Sequence, residues 1–318
     1  MPTTVNITST YAGESAGEYI SAALLSGSTI VNGGITVKPN VKFKQVIKKV
    51  ADDGNVIKDA SCDFTDTATL TLTERVLQPE EFQVNLELCK SDFLDDWNSI
   101  SAGYSAYDSI PPSFTDFLIG HVAGLVAEKT EQNIWGGTTA TSGEFDGFAT
   151  TLALDAGLPA AQEVAGTTVT ASVVIDELGK IVDALPSSLY GKEDSYIYVS
   201  QNIARAYVRA LGGFGTSGLG ANGVNTLGTQ WWNNGDLTFD GVKIFVAQGM
   251  DDNTAIATQK SNLYFGTGLL SDALEVRVLD MAQLDGSNNV RVVMRYSAGV
   301  QYGIVEDIVT YGITNAAN

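Results

Sequence analysis

An α+β fold is expected, because separate stretches of this 318-residue chain carry separate periodicities. Residues 35–50 alternate between apolar and lysine positions, which is the two-residue period of a strand. Residues 112–136 carry apolar side chains at helical spacing for more than twenty positions. Beyond residue 138, short helix and strand signatures alternate with no internal repeat, as in a mixed domain.

The composition supports a folded chain with a substantial core, at 44% hydrophobic and 17% charged residues. No apolar run approaches the ~20 residues needed to cross a bilayer. The longest, Leu118 to Ala127, is interrupted by Gly120, His121 and Gly124. No basic region followed by an apolar one marks a secretory leader, so no membrane partner and no export are expected. Cys62 and Cys89 make neither a disulfide framework nor a zinc site, and synthesis in a reducing cytoplasm is expected. The net charge of −19 argues against direct nucleic-acid binding, which relies on Lys and Arg displacing counterions from phosphates. That charge is uneven. Residues 38–58 hold Lys38, Lys42, Lys44, Lys48, Lys49 and Lys58 against Asp52 and Asp53, a segment of +4 in an otherwise acidic chain.

Taken in order, residues 1–34 are small and polar and end at Asn32-Gly33-Gly34, which reads as an extended arm with little core of its own. From 35 to 50, Ile35, Val37, Val41, Phe43 and Ile47 are expected on one face of a single strand and Lys38, Lys42, Lys44 and Lys48 on the other. Pro39 confines that strand to an edge or a bulge. Asp53-Gly54 supplies a turn, and the Thr/Leu alternation from Thr69 to Thr73 supplies a returning strand. At roughly 3.3 Å per residue the first strand would reach about 50 Å, against a radius of gyration near 20 Å for a globule of this length. Such a hairpin projects, and its apolar face needs a cover. Its lysines repel one another unless acids meet them. Thr67, Thr69, Thr71 and Thr73 are neutral, so the countercharge comes either from solvent and salt or from the acidic body of another copy. Lys38, Lys42, Phe43, Lys44, Lys48 and Lys49 are the expected contacts between subunits.

A long helix is expected over residues 113–136, opened by Ser113 with Asp116 three positions on. Phe114, Phe117, Leu118, Val122 and Leu125 form its inward stripe and Gly136-Gly137 its stop. A second helix is expected at about 171–185 and a strand from Tyr196 to Val199. Ser200 then caps a third helix that turns Ile203, Tyr207 and Leu211 inward. Residues 212–230 hold seven glycines and no charge, which reads as a mobile loop. Strands follow at about 242–247, 274–281 and 289–296, the last two joined through Asp285-Gly286.

Two short patterns mimic catalytic motifs, and a lone histidine and two acidic pairs could suggest ligand sites. Gly13-Glu14-Ser15-Ala16-Gly17 matches a nucleophile elbow, but twelve preceding residues cannot build the sheet on which that turn must sit. Gly213-Phe214-Gly215-Thr216-Ser217-Gly218 matches a dinucleotide fingerprint. It follows a helix and runs into more loop, where a phosphate site needs a strand before it and a helix after. His121 is the sole histidine and sits mid-helix, so a packed or partly exposed structural role outweighs a metal site. The pairs Asp251-Asp252 and Glu306-Asp307 lack calcium-loop spacing. No catalytic residue, metal ligand or cofactor is assigned.

The order of parts resembles the major capsid proteins of tailed bacteriophages, whose fold encapsulin shells share. The helix end Glu128-Lys129-Thr130-Glu131-Gln132-Asn133-Ile134-Trp135-Gly136-Gly137 is similar to the end of that family's spine helix. Ser261-Asn262-Leu263-Tyr264-Phe265-Gly266-Thr267 and Gly299-Val300-Gln301-Tyr302-Gly303 also look like capsid sequence. The resemblance implies an N-terminal arm over 1–34 and an extended hairpin loop over 35–90 that lies on a neighbouring subunit. It implies a peripheral domain over 91–149 and 251–298 with spine helix 113–136, an axial α/β domain over 150–250, and a C-terminal strand region over 299–318. The loop at 212–230, with Gly213, Phe214, Gly215, Gly218, Gly220 and Gly223, would face the capsomer centre, where small residues fit both five-fold and six-fold rings. Hexamers and pentamers of an icosahedral head are implied, with packaged DNA enclosed without sequence-specific binding. Portal and accessory head proteins are implied as partners, with a separate scaffold or none. An encapsulin-like compartment is the alternative within this fold, and a β-rich surface-layer or adhesin protein the alternative outside it.

Overall fold

The computed structural model describes residues 28–51, 57, 59, 70–89, 112–211, 237–268, 277–284 and 286–316. Two sheets and a separate hairpin organise them.

The first sheet is built around β12 (Asn289–Tyr302), whose even-numbered residues Val290, Val292, Met294, Tyr296 and Ala298 are buried while Arg291 and Arg295 are exposed. This is the two-residue period at work on a half-buried strand. On one side β12 runs antiparallel to β4 (Glu80–Cys89) along all ten residues of β4, from Glu80 opposite Ala298 to Cys89 opposite Asn289. It also pairs antiparallel with β10 (Leu263–Thr267) and with β11 (Arg277–Asp280). Short β1 (Thr36–Lys38) lies parallel to β10.

Against β12 packs α2 (Pro112–Gly136), a 25-residue helix about 37 Å long at a rise of roughly 1.5 Å per residue. It meets α3 (Phe148–Leu154), and Ile119, Val122, Val126, Ile134 and Trp135 share a core with Phe148, Leu152 and the inward row of β12. Leu125, expected on the inward stripe, is half exposed; the buried row runs through Val122 and Val126. Of the arm expected over residues 1–34, residues 1–27 lie outside the described residues, and the rest holds a short helix. This helix, α1 (Ser28–Val31), is pinned to α2, because buried Glu131 accepts hydrogen bonds from the Thr29 N–H (3.1 Å) and hydroxyl. Trp135 Nε1 in turn donates to Thr29 Oγ1 at 2.9 Å.

The second sheet has six strands in the order β5 (Glu163–Val164), β13 (Val309–Tyr311), β9 (Ala255–Gln259), β6 (Ser195–Val199), β8 (Val242–Val246) and β7 (Thr238–Phe239). Helices α4 (Val174–Asp183) and α5 (Gln201–Leu211) supply its second core, where Val174, Leu178, Ile181, Ile203 and Tyr207 meet Ile197, Val199 and Ile244. Both helices and β6 fall where the sequence places them. The capping of α5 differs: Ser200 Oγ donates to Asn202 Oδ1 (2.6 Å), and that oxygen accepts the backbone N–H groups of Ile203 and Asn253. The amide of Asn202 therefore does the work expected of Ser200.

The expected strand over 35–50 is broken in two. Asn40, after Pro39, takes a positive φ of 62°, outside the extended region, and the chain resumes strand structure only at β2 (Gln45–Ala51). β2 pairs antiparallel with β3 (Thr71–Leu77), and these two strands form a sheet of their own. The seven-residue strands span about 23 Å at roughly 3.3 Å per residue, less than half the reach expected of an unbroken strand. The proposed turn at Asp53-Gly54 lies outside the described residues. Gly286, at φ 76°, turns the chain between β11 and β12, though a single 3-10 turn (Met281–Gln283) precedes it; Asp285 lies outside the described residues.

Candidate assembly surface

The β2–β3 hairpin has two chemically distinct faces, set by register. Gln45 stands opposite Leu77, Ile47 opposite Arg75 and Lys49 opposite Thr73 on the face turned toward the body. Val46 opposite Val76, Lys48 opposite Glu74 and Val50 opposite Leu72 occupy the other.

The inner face is anchored by one apolar plug and a charged clasp. Leu77 is fully buried and sits against Gly266 of β10, where an added Cβ would lie 2.9 Å from Leu77 Cδ2. One residue pair further out, the Arg75 guanidinium lies 4.5 Å from the Tyr302 ring centroid and donates to Asp155 Oδ2 at 2.6 Å. Tyr302 also donates its hydroxyl to Asp155 Oδ2, at 2.6 Å. Burial alone would raise the Asp155 carboxyl. Hydrogen bonds from Tyr302, the Gly157 N–H and Arg75, together with the guanidinium charge, outweigh it and hold Asp155 below the usual carboxylate range. Tyr302 is pushed well above a normal phenol by burial and by its bond to Asp155. At the far side Lys49 Nζ donates to Glu306 Oε1 at 2.7 Å; burial opposes ionisation of Glu306, but the bond and charge of Lys49, the backbone N–H of Glu306 and the Arg75 charge together outweigh it, so its carboxyl is lowered. Gln301 Nε2 adds a bond to the Val76 carbonyl at 3.2 Å.

The outer face is uncovered. Val50 and Leu72 are 65% and 64% exposed, Val46 and Val76 are 44% and 38% exposed, and Phe43 just before the strand is 83% exposed. Large side chains aligned on one face of a two-stranded ribbon are unusual for a surface in final contact with water.

The six predicted contact residues divide accordingly. Lys38 ends β1 with its ammonium 5.3 Å from the Tyr264 ring centroid, inside the first sheet's edge. Lys49 faces the body and is paired with Glu306, so it does not share a face with Lys48. Lys42, Phe43, Lys44 and Lys48 are exposed. The return strand is not neutral either: Glu74 stands opposite Lys48, a register the threonine alternation did not reveal. The predicted glycine loop residues Gly213, Phe214, Gly215, Gly218, Gly220 and Gly223 lie outside the described residues. Sequence reading missed the clasp residues Arg75, Asp155, Tyr302 and Glu306, which are distant in sequence and carry no local signature. It also named no strand at β4, although Phe82, Val84, Leu86 and Leu88 alternate as a strand should. Among the described residues no helix is long and apolar enough to cross a membrane, and no cluster of three or more His, Cys, Asp or Glu could hold a metal.

No family model and no curated protein sequence matches the chain. Solved structures do. A chain from the capsid of a native GTA particle superposes with a TM-score of 0.58 at 14% identity, over 92% of this chain and 90% of that one. A chain of Mycobacterium phage Adephagia gives 0.57 at 14% identity, over 91% and 90%. A chain of the satellite phage P4 procapsid gives 0.54 at 9% identity, over 94% and 99%. The likeness covers more than nine-tenths of this chain in each case, and it agrees with the resemblance carried by the helix end at Glu128–Gly137 and the runs at Ser261–Thr267 and Gly299–Gly303. This chain has the phage capsid fold.

Proposed function

We propose that this chain is a major capsid protein, a structural subunit that assembles with copies of itself into the icosahedral head of a tailed phage. The observation that carries the reading is that a capsid fold runs through nearly the whole chain and leaves one hairpin face, Val46, Val50, Leu72 and Val76, exposed among the described residues. Exposed Lys42, Lys44 and Lys48 give the same region a positive edge suited to an acidic neighbour. On this reading the five-stranded sheet and α2 form the peripheral domain, the six-stranded sheet the axial domain, and residues 212–230 the loop at the capsomer centre. This moves β9 out of the 251–298 segment expected in the peripheral domain, and β1 and β4 out of the 35–90 loop. Hexamers and pentamers assemble in the host cytoplasm with scaffold, portal and accessory head proteins and enclose double-stranded DNA. An acidic subunit holds that DNA without sequence-specific contacts.

Electron microscopy of the purified protein tests this. Closed icosahedral particles, or rings of five and six, are expected. A protein that stays monomeric at every concentration would remove the proposal. Charge reversal at Lys42, Lys44 and Lys48 together is expected to lower particle yield while leaving the subunit's circular dichroism unchanged.

A further inference from the structure

Every charge on the inner face of the hairpin is neutralised within the chain, since Lys49 meets Glu306 and Arg75 meets Asp155. The outer face is different. Lys48 and Glu74 stand opposite each other in register, yet among the described residues neither takes part in an ion pair. They form the middle rung of a ladder whose flanking rungs are the apolar pairs Val46–Val76 and Val50–Leu72. A surface complementary to this face must offer an anion over Lys48, a cation over Glu74, and apolar groups on either side.

The face itself meets that description. Turned by 180° about an axis parallel to its strands, a second copy places β2 over β3. Glu74 then lies over Lys48, Lys48 over Glu74, Val46 over Val76 and Val50 over Leu72. The other in-plane two-fold, perpendicular to the strands, would stack lysine on lysine. The charge pattern therefore selects one orientation and rejects the other.

We infer that the outer face of the hairpin is an isologous contact that stacks on the same face of a second copy of this chain, at a two-fold axis parallel to the strands. The inference rests on the shell reading above. The face measures roughly 20 Å by 10 Å, well below the ~800 Å² per partner of a free-standing complex, so it acts as one contact among several in an assembly.

Trans-complementation tests it. Lys48→Glu gives a face with two anions, and Glu74→Lys gives a face with two cations. Each variant alone is expected to assemble at least about tenfold less well than the unaltered chain, because like charges meet at both crossing points. An equimolar mixture is expected to recover to within about threefold, because the anionic face now meets the cationic one. Lys48→Glu/Glu74→Lys in one chain restores the pattern and is expected to assemble alone. Particle yield by sedimentation is the readout, with denaturant unfolding of each variant to show that the subunits fold. Should either single variant be unable to fold, the doubly exchanged chain still decides: normal yield supports the contact, and lost yield from a folded chain rejects it. A mixture no better than its components, or single variants that assemble normally, overturns the inference while closed particles of the unaltered chain leave the shell reading standing. An unaltered chain that never assembles overturns both.

Discussion

Strands β6 and β2 both carry β-branched apolar residues and meet opposite ends. In β6 the run Ser195–Val199 lies between β8 and β9, with Ile197, Tyr198 and Val199 fully buried. In β2 the run Gln45–Ala51 has one neighbour, β3, and only its inner face rests on the body. Hydrophobicity is part of the difference, since β2 carries Lys48 and Lys49 and β6 no charge, yet Val46, Ile47 and Val50 would suit a core as well as Ile197 and Val199. The remainder lies in how many sides the rest of the chain covers. A strand flanked on both edges and both faces completes its contacts within one subunit. A two-stranded ribbon leaves a face for something else, and an isolated hairpin of this length is marginal in water.

The comparison can be strained at graded points. The largest effect is expected in the shared core, where Trp135 packs on Phe148 and Tyr198 with ring centroids 5.5 and 5.2 Å away. Trp135→Ala should destabilise the subunit by about 3–5 kcal/mol in denaturant titration. Asp155→Asn comes next, because it removes the anion shared by Arg75 and Tyr302. A loss of roughly 1–3 kcal/mol is expected, with faster amide exchange confined to β2 and β3. Unchanged exchange in those strands would show that the clasp does not hold the hairpin.

Acid should reach the same clasp more gently. Asp155 and Glu306 both have lowered folded-state pKa values, so the stability they contribute is present above the unfolded carboxylate value near 4. It is lost as the pH falls through their folded values, so the hairpin should loosen below about pH 4 and show no change from about pH 6 to 8. Lys49→Met should cost at most about 1 kcal/mol, a cost that salt erases, because the pair with Glu306 is partly exposed. Smallest of all, Leu72→Ala should change subunit stability by less than about 0.5 kcal/mol. Its effect is expected in particle yield, and a large loss of stability would mean that the outer face is already covered within the subunit.

Much of the fold is legible in the residues. The stripe through Val122, the stop at Gly136-Gly137, the alternation that buries Val290, Val292 and Met294, and the helix turning Ile203 and Tyr207 inward are all local patterns. The assembly surface is less so. The lysines are visible, but which of them remain exposed depends on register, and the segment joining β2 to β3 is too long for turn chemistry to set that register. Leu125 misled for a similar reason: it continues a helical stripe, yet a 25-residue helix touches its core along a line that the sequence period follows only approximately.

By itself the sequence determined the kind and order of the longer helices and several strands, though not β4, β9 or β13, because periodicity, caps and turn residues act over a few neighbouring positions. It also determined that a basic segment is set in an acidic chain. Only the tertiary structure decided which lysines are spent on Tyr264 and Glu306, that Glu74 faces Lys48, and that Arg75, Asp155 and Tyr302 converge. These are meetings between residues as many as 257 positions apart. Nothing in the local chain encodes them, because each partner's position is set by the packing of a different sheet.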